Sequence, residues 1–339
     1  MLVLSLLLSR ALAFPGALVG PLGSELISDH SVVVVSHTGV GLHFTLSLDV
    51  RGDVADFGLI IPVPERVDPE QITTLDPDYL QQIALFSAPR IERIRCDDLS
   101  QITYYAIPPG CGSFEFEVED PNLEPTIAVD ALGLDGPFEE NVYQFDVVSD
   151  LATWLSEASF VPDVSTQALL DHHLAAGSDF VVARIALGSA PTAAVWLEPL
   201  QFPMSTVEYD LPLSLSASNV VSHDLTLLTF GSDALEPNLY RPAELTSDCM
   251  VLGDFAGIHE ANFELALDPD ALEMWVLEYS GLSSECAPCA RDPLEFYNLA
   301  DFGISGIPEA HVTRWRHRYS PEVPAIDVRL QPGGPANAQ

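Results

Sequence analysis

The chain has 339 residues, of which 47% are hydrophobic and only 19% charged. That apolar share is enough to build a folded core and too high for a disordered polymer. Fifty acidic against thirteen basic residues leave a formal net charge of −37, so repulsion excludes nucleic acid and anionic membrane surfaces as partners.

Residues 1–13 read as an export signal. Leu2 to Leu8 is an apolar run too short to cross a bilayer as a helix, and Ala11-Leu12-Ala13 has the small-residue spacing of a cleavage site. One feature departs from the usual pattern: Arg10 follows the apolar run instead of preceding it. The mature chain is expected to begin near Phe14 and to reside in the periplasm or outside the cell. No later stretch is long and apolar enough for a membrane span.

Residues 14–30 form an N-terminal extension, and 31–118 are expected to hold an antiparallel meander plus a helix. Residues 31–37 are a β-branched run, and 42–50 alternate: Leu42, Phe44, Leu46, Leu48 and Val50 face one way, His43, Thr45, Ser47 and Asp49 the other. Period two predicts a strand with one buried face. A third strand is expected through residues 57–61, with Pro62 and Pro64 ending its pairing. Arg51-Gly52-Asp53 between them is read as a turn rather than as an adhesion ligand.

Aspartate–proline pairs mark helix starts, with a capping carboxylate before a proline at the first helical position. Asp76-Pro77 and Asp292-Pro293 predict helices over 77–87 and 293–300, the second reinforced by Glu295 at capping-box spacing. After Asp268-Pro269, residues 269–280 stay open between helix and strand. The proline-rich acidic segment 119–147 is the best internal boundary. It is followed by an α+β part over 148–330, with helices at 149–158 and 165–176, the latter stopped by Gly177. Strands are expected at 180–187, 194–200, 225–230 and 311–319, and residues 331–339 form a disordered tail. The fold class is α+β and strand-rich: antiparallel sheets in a sandwich-like arrangement with several short helices.

Candidate chemistry is sparse, and no catalytic, cofactor or metal constellation is read from the chain. Asp171-His172-His173 matches a metal-holding string of phosphoesterases, but it falls inside a helical segment and is read as a solvated helix face. His259-Glu260 begins a zinc-helix motif that fails because position 263 is Phe. Gly303-Ile304-Ser305-Gly306 lacks the spacing of a nucleophile elbow. Arg314, Arg316 and Arg318 place three cations on one face of a strand, read as ion-pairing with acidic neighbours.

The five cysteines allow at most two intrachain bridges. Cys286-Ala287-Pro288-Cys289 has three functional readings: a redox dithiol, half a zinc site, or a disulfide. Ser283-Ser284-Glu285 just before it is a poor strand, which weighs against the first, and no second pair completes the second. A structural Cys286–Cys289 disulfide is expected, with Cys96–Cys111 as the second bridge and Cys249 left over.

Six stretches resemble the exported bacterial family catalogued as DUF2330: residues 53–64 (DVADFGLIIPVP), 73–91 (TTLDPDYLQQIALFSAPRI), 180–185 (FVVARI), 197–202 (LEPLQF), 285–294 (ECAPCARDPL) and 311–319 (HVTRWRHRY). They span about residues 30–330. Many members open the mature chain on a Cys-Gly-Gly-Phe-like segment, whereas residues 14–30 here contain no cysteine. The resemblance implies an exported bacterial protein and supplies no activity, cofactor or site residue. Two function classes follow. The first is a non-catalytic envelope or extracellular protein that binds an unspecified partner or serves a structural role. The alternative is an exported enzyme or thiol–disulfide redox protein using Cys286 and Cys289.

Overall fold

The computed structural model describes residues 14–89, 138, 142–218, 222–238, 241–243, 259–260, 263–264, 274–284, 296–304, 309–319 and 326–332. The first strands are β1 (Ala17–Val19), β2 (Leu26–Ile27), β3 (His30–His37), β4 (Leu42–Gly52), β5 (Asp56–Val63) and β6 (Thr73–Thr74), followed by helix α1 (Pro77–Phe86). Then come β7 (Val142–Val148), α2 (Leu151–Ala158), α3 (Val164–Ala176), β8 (Asp179–Ala186), β9 (Val195–Trp196), β10 (Leu200–Met204) and β11 (Asp210–Leu211). The last are β12 (His223–Gly231), β13 (Leu235–Pro237), β14 (Arg241–Ala243), β15 (Met274–Leu282), α4 (Phe296–Asp301), β16 (His311–Tyr319) and β17 (Val328–Pro332).

The fold is α+β and strand-rich, as the sequence predicts. A ten-stranded sheet runs β14-β15-β16-β12-β3-β4-β10-β6, with β2 and β9 also paired to β4; a four-stranded sheet runs β1-β5-β8-β7, and β11-β17-β13 form a small third sheet. The four-stranded sheet is antiparallel throughout. The large sheet is mixed, because the β3–β12 and β14–β15 ladders are parallel.

The two larger sheets pack face to face. Val33, Phe44, Leu46, Leu227 and Trp315 from the large sheet share one apolar cluster with Phe57, Leu59, Val181 and Ile185 from the smaller. Each sheet is then covered on its outer face. Leu80, Ile83 and Ala84 of α1, spaced as one helical stripe, join Leu299 of α4 against Val32, Val34, Leu228 and Phe230. Leu151 and Leu155 of α2 and Leu170 of α3 pack on Ile60, Phe180 and Val182. The order of layers is helix, sheet, sheet, helix. Burial on both faces explains the continuous β-branched run in β3.

Local chemistry sets the helix ends. Asp76 accepts from the Asp78 N–H at 3.0 Å with Pro77 in the first turn. Asp163 caps α3 through Ser165 and Thr166, and Gly177 closes it at φ +88°. Of the expected helix at 293–300, α4 covers Phe296–Asp301, while 293–295 lie outside the described residues. Residues 269–280, ambiguous in sequence, enter strand β15 at Met274.

Three expectations are corrected. First, β5 does not extend the β3–β4 hairpin into a meander; it crosses to the other sheet and pairs with β1 and β8. Apolar residues on both of its faces suit a buried position in either sheet, so the sequence does not choose. Second, Pro62 does not end the strand, since it pairs opposite Phe180. The β1 ladder on its other side stops at Ile60, so the missing N–H breaks no bond there. Third, the polar face of β4 is not solvated: Thr45, Ser47 and Asp49 are all buried.

Both sheets draw strands from either side of residues 119–147, and β7 at the end of that segment is the edge of the small sheet. Gln331 and Pro332 belong to β17; the rest of the expected tail lies outside the described residues. No helix among the described residues is long and apolar enough to cross a membrane.

Candidate functional site

Polar groups concentrate at one end of the large sheet, where consecutive residues of β12 point to opposite faces. Asp224 faces outward and His223 inward, as the two-residue strand period requires.

On the outer face stand the three arginines of β16. Arg318 makes a bidentate pair with Asp224, 2.6 Å on both arms, and also reaches Glu260 at 2.7 Å and Glu264 at 2.5 Å. Arg316 bonds Asp224 at 2.7 Å and Glu260 at 2.8 Å. Arg314 bonds Glu278 at 2.6 Å and donates to the Ala84 carbonyl at 3.3 Å, near the end of α1 where helical carbonyls lack partners. The Phe263 ring lies under two of these cations, 4.0 Å from the Arg316 guanidinium and 5.1 Å from that of Arg318.

Glu278 owes its position to a backbone irregularity. Leu277 pairs with Trp315 and Tyr279 with Arg314, so Glu278 is the extra residue of a β-bulge. The bulge lets its carboxylate bridge Arg314 and His259, whose Nε2 lies 2.9 Å away. Burial pushes the Glu278 carboxyl up, but the Arg314 charge and the His259 bond outweigh it and hold it down at about 2. Burial likewise opposes ionisation of Asp224, and the Arg318 bond with the charges of both arginines brings it to about 2. The strand alternation thus placed the arginines correctly, and every one of them faces carboxylates.

On the inner face the chemistry is neutral. His223 Nδ1 is 3.0 Å from the Ser28 carbonyl, which fixes the proton on Nδ1 and turns the Nε2 lone pair toward Ser31 Oγ, 2.8 Å away. Burial depresses the ring to about 4, so it is neutral at ordinary pH. A hydrogen-bonded serine and histidine are two parts of a nucleophilic triad, and the Ser28 carbonyl stands where the third, orienting group would be. Here, however, Ser31 is 1% and His223 0% exposed. Ser31 also sits between two ladders, whose backbone N–H groups are occupied and form no oxyanion hole. The pair is sealed.

Ser28 links the two faces. Its Oγ donates to Asp49 Oδ1 at 3.1 Å, and the same oxygen accepts from the Asp29 and His30 N–H groups at 2.8 and 2.9 Å. The His30 ring bonds Asp49 Oδ2 at 3.2 Å, and that bond raises His30 above the ordinary histidine range.

The remaining motifs fall as follows. In the Asp171-His172-His173 string, Asp171 and His172 are exposed, but His173 is buried, contrary to the solvated-face reading. A residue on α3 two positions from an exposed one turns by about 200°, which brings it to the sheet side. The failed zinc helix is reused: His259, Glu260, Phe263 and Glu264 all contact the arginine cluster. Arg51 is committed to Asp29 at 2.9 Å, and Asp53 accepts from the Glu25 N–H at 2.8 Å, so the Arg-Gly-Asp triplet is engaged internally. Gly303 has φ +75° and passes so close to the His43 ring that an added Cβ would meet it at 2.1 Å, which makes this glycine a packing requirement. Cys96, Cys111, Cys249, Cys286 and Cys289 all lie outside the described residues, as does Ser305. No group of metal-binding side chains occurs among the described residues.

Sequence reasoning missed His223, Asp224, Ser31 and Glu278 because their partners are remote: Ser31 and His223 are 192 positions apart, and Arg318 and Asp224 are 94. The only local hint was a polar His-Asp pair at the head of an apolar strand.

The fold and this cluster define a helix-flanked double-sheet protein in which Asp224, Glu278, Arg314, Arg316 and Arg318 are matched by internal partners. The chain belongs to the bacterial family described as "Uncharacterized protein conserved in bacteria (DUF2330)", whose model matches residues 9–331. No curated protein matches it. Among solved structures, baculovirus P35 is similar at 9% identity over 91% of this chain and 92% of that one, with a TM-score of 0.31.

Proposed function

We propose that the chain is an exported, non-catalytic protein of the bacterial envelope or exterior, acting through binding or as a structural component. One observation supports the non-catalytic part: among the described residues, the groups best suited to chemistry are already spent. The Ser31–His223 pair is closed to solvent, and Arg314, Arg316 and Arg318 are bonded to Glu278, Asp224, Glu260 and Glu264. Export rests on the Leu2–Leu8 run and Ala11-Leu12-Ala13. N-terminal sequencing of the native protein from fractionated cells tests it: a start near Phe14 outside the cytoplasm is expected, and an intact Met1 on a cytoplasmic protein contradicts it.

In that compartment the Cys286–Cys289 pair is oxidised and structural, with Cys96–Cys111 as the second bridge. The first ring is small, so it contributes less than the ~3 kcal/mol of a fifteen-residue loop. Mass mapping of the unreduced protein checks both pairings. A reduction potential in the range of disulfide-exchange catalysts would replace this reading with the redox one.

A further inference from the structure

We propose that the junction of β3 and β12 is an acid-sensitive joint, closed while His223 is neutral and loosened when its ring takes a second proton. The parallel β3–β12 ladder of seven residue pairs, Asp224↔His30 to Phe230↔Ser36, joins strands from the two halves of the chain, and His223 stands at its head. Its Nε2 accepts the Ser31 hydroxyl proton, and its Nδ1 proton goes to the Ser28 carbonyl. A proton added at Nε2 reverses the first bond. Ser31 Oγ must then accept, and its own proton has to find another acceptor inside a closed apolar layer.

The surroundings give the new charge little support. The Phe14 ring lies 6.4 Å from the imidazole, and Tyr319 of β16 is the cross-strand neighbour. Burial raises the Tyr319 hydroxyl and keeps it neutral; four further charged or titratable groups are near, and each is already engaged. Asp49 of β4 is held by His30 of β3, and Asp29 by Arg51. Asp224 of β12 is held by Arg316 and Arg318. His30, whose pKa is raised, takes its proton first as the medium acidifies. Its positive charge then opposes a second one on His223. The relief open to the protein is for the head of the ladder to part and admit water to His223.

Amide hydrogen exchange tests this. After correction for intrinsic rates, wild-type segments 31–36 and 225–230 should lose roughly tenfold or more protection between about pH 7 and pH 4.5. His223→Asn, which keeps a donor and an acceptor but cannot take the proton, should keep its protection. Equal protection of the wild type at both pH values, or an equal loss in the variant, overturns the proposal. Should the variant not fold, ring-nitrogen NMR of the wild type decides. At about pH 4 a doubly protonated His223 is expected only together with lost amide protection in 31–36 and 225–230. A doubly protonated ring inside fully protected strands at that pH overturns the proposal.

Discussion

Two neighbouring residues of one strand sit in opposite electrostatic worlds. Asp224 looks out into a field of arginines and carboxylates in which charge answers charge. His223 looks in, where neutral donors and acceptors are matched by hydrogen bonds and Phe14 covers the ring. Both arrangements satisfy buried polar groups, but they fail differently. Removing one partner from the outer face strands a charge, whereas adding a proton on the inner face creates one.

The largest effect should come from stranding Arg314, whose side chain is 5% exposed. The Glu278 side chain is 1% exposed and holds both Arg314 and His259. Glu278→Ala should therefore cost about 3–5 kcal/mol of unfolding free energy in urea titrations. A loss below about 1 kcal/mol would mean that water or another group reaches Arg314 instead.

The second contrast is in pH. Folded His223 titrates at about 4 against an ordinary 6.5. The unfolded chain therefore binds that proton first, and stability declines as pH falls from 6.5 toward 4. The gap of about 2.5 units is worth on the order of 3 kcal/mol. Asp224 and Glu278 titrate at about 2 when folded, against 3.8 and 4.5. Their contribution is complete above those ordinary values and is lost as pH falls from there toward 2. His30 runs the other way: its pKa is raised, so its contribution is complete below 6.5 and is lost as pH rises through the folded value. Unfolding free energy followed across pH should thus fall in two steps on acidification, and His223→Asn should remove only the first. A single step at the carboxylate range would erase the distinction between the two faces.

The smallest effect is expected at the rim. Glu264 bonds Arg318 but is 62% exposed, so Glu264→Gln should change stability by no more than about 0.5 kcal/mol, and by less at high salt. A change comparable to that of Glu278→Ala would show that the ladder acts as one unit.

What was legible in sequence was whatever depends on neighbours in the chain. The alternation of residues 311–319 gave the arginine face, Asp76 before Pro77 gave the cap of α1, and Gly177 gave a helix stop. Crossing points were hidden. β5 carries apolar residues on both faces, so nothing local says which sheet it joins, and Pro62 is harmless only because β1 ends short of it. The bulge at Glu278 was invisible for the same reason, since it exists only in the register of β15 against β16. His259-Glu260 was legible as a failed motif and illegible as a support for arginines more than fifty positions away.

Fluorophosphonate labelling of the folded protein asks most directly whether the inner cluster is sealed structure or usable chemistry. With Ser31 at 1% and His223 at 0% exposure, no adduct should form on Ser31 at neutral pH, and intact mass should be unchanged. An adduct mapped to Ser31 in the native protein, and lost in His223→Ala, would contradict the non-catalytic account.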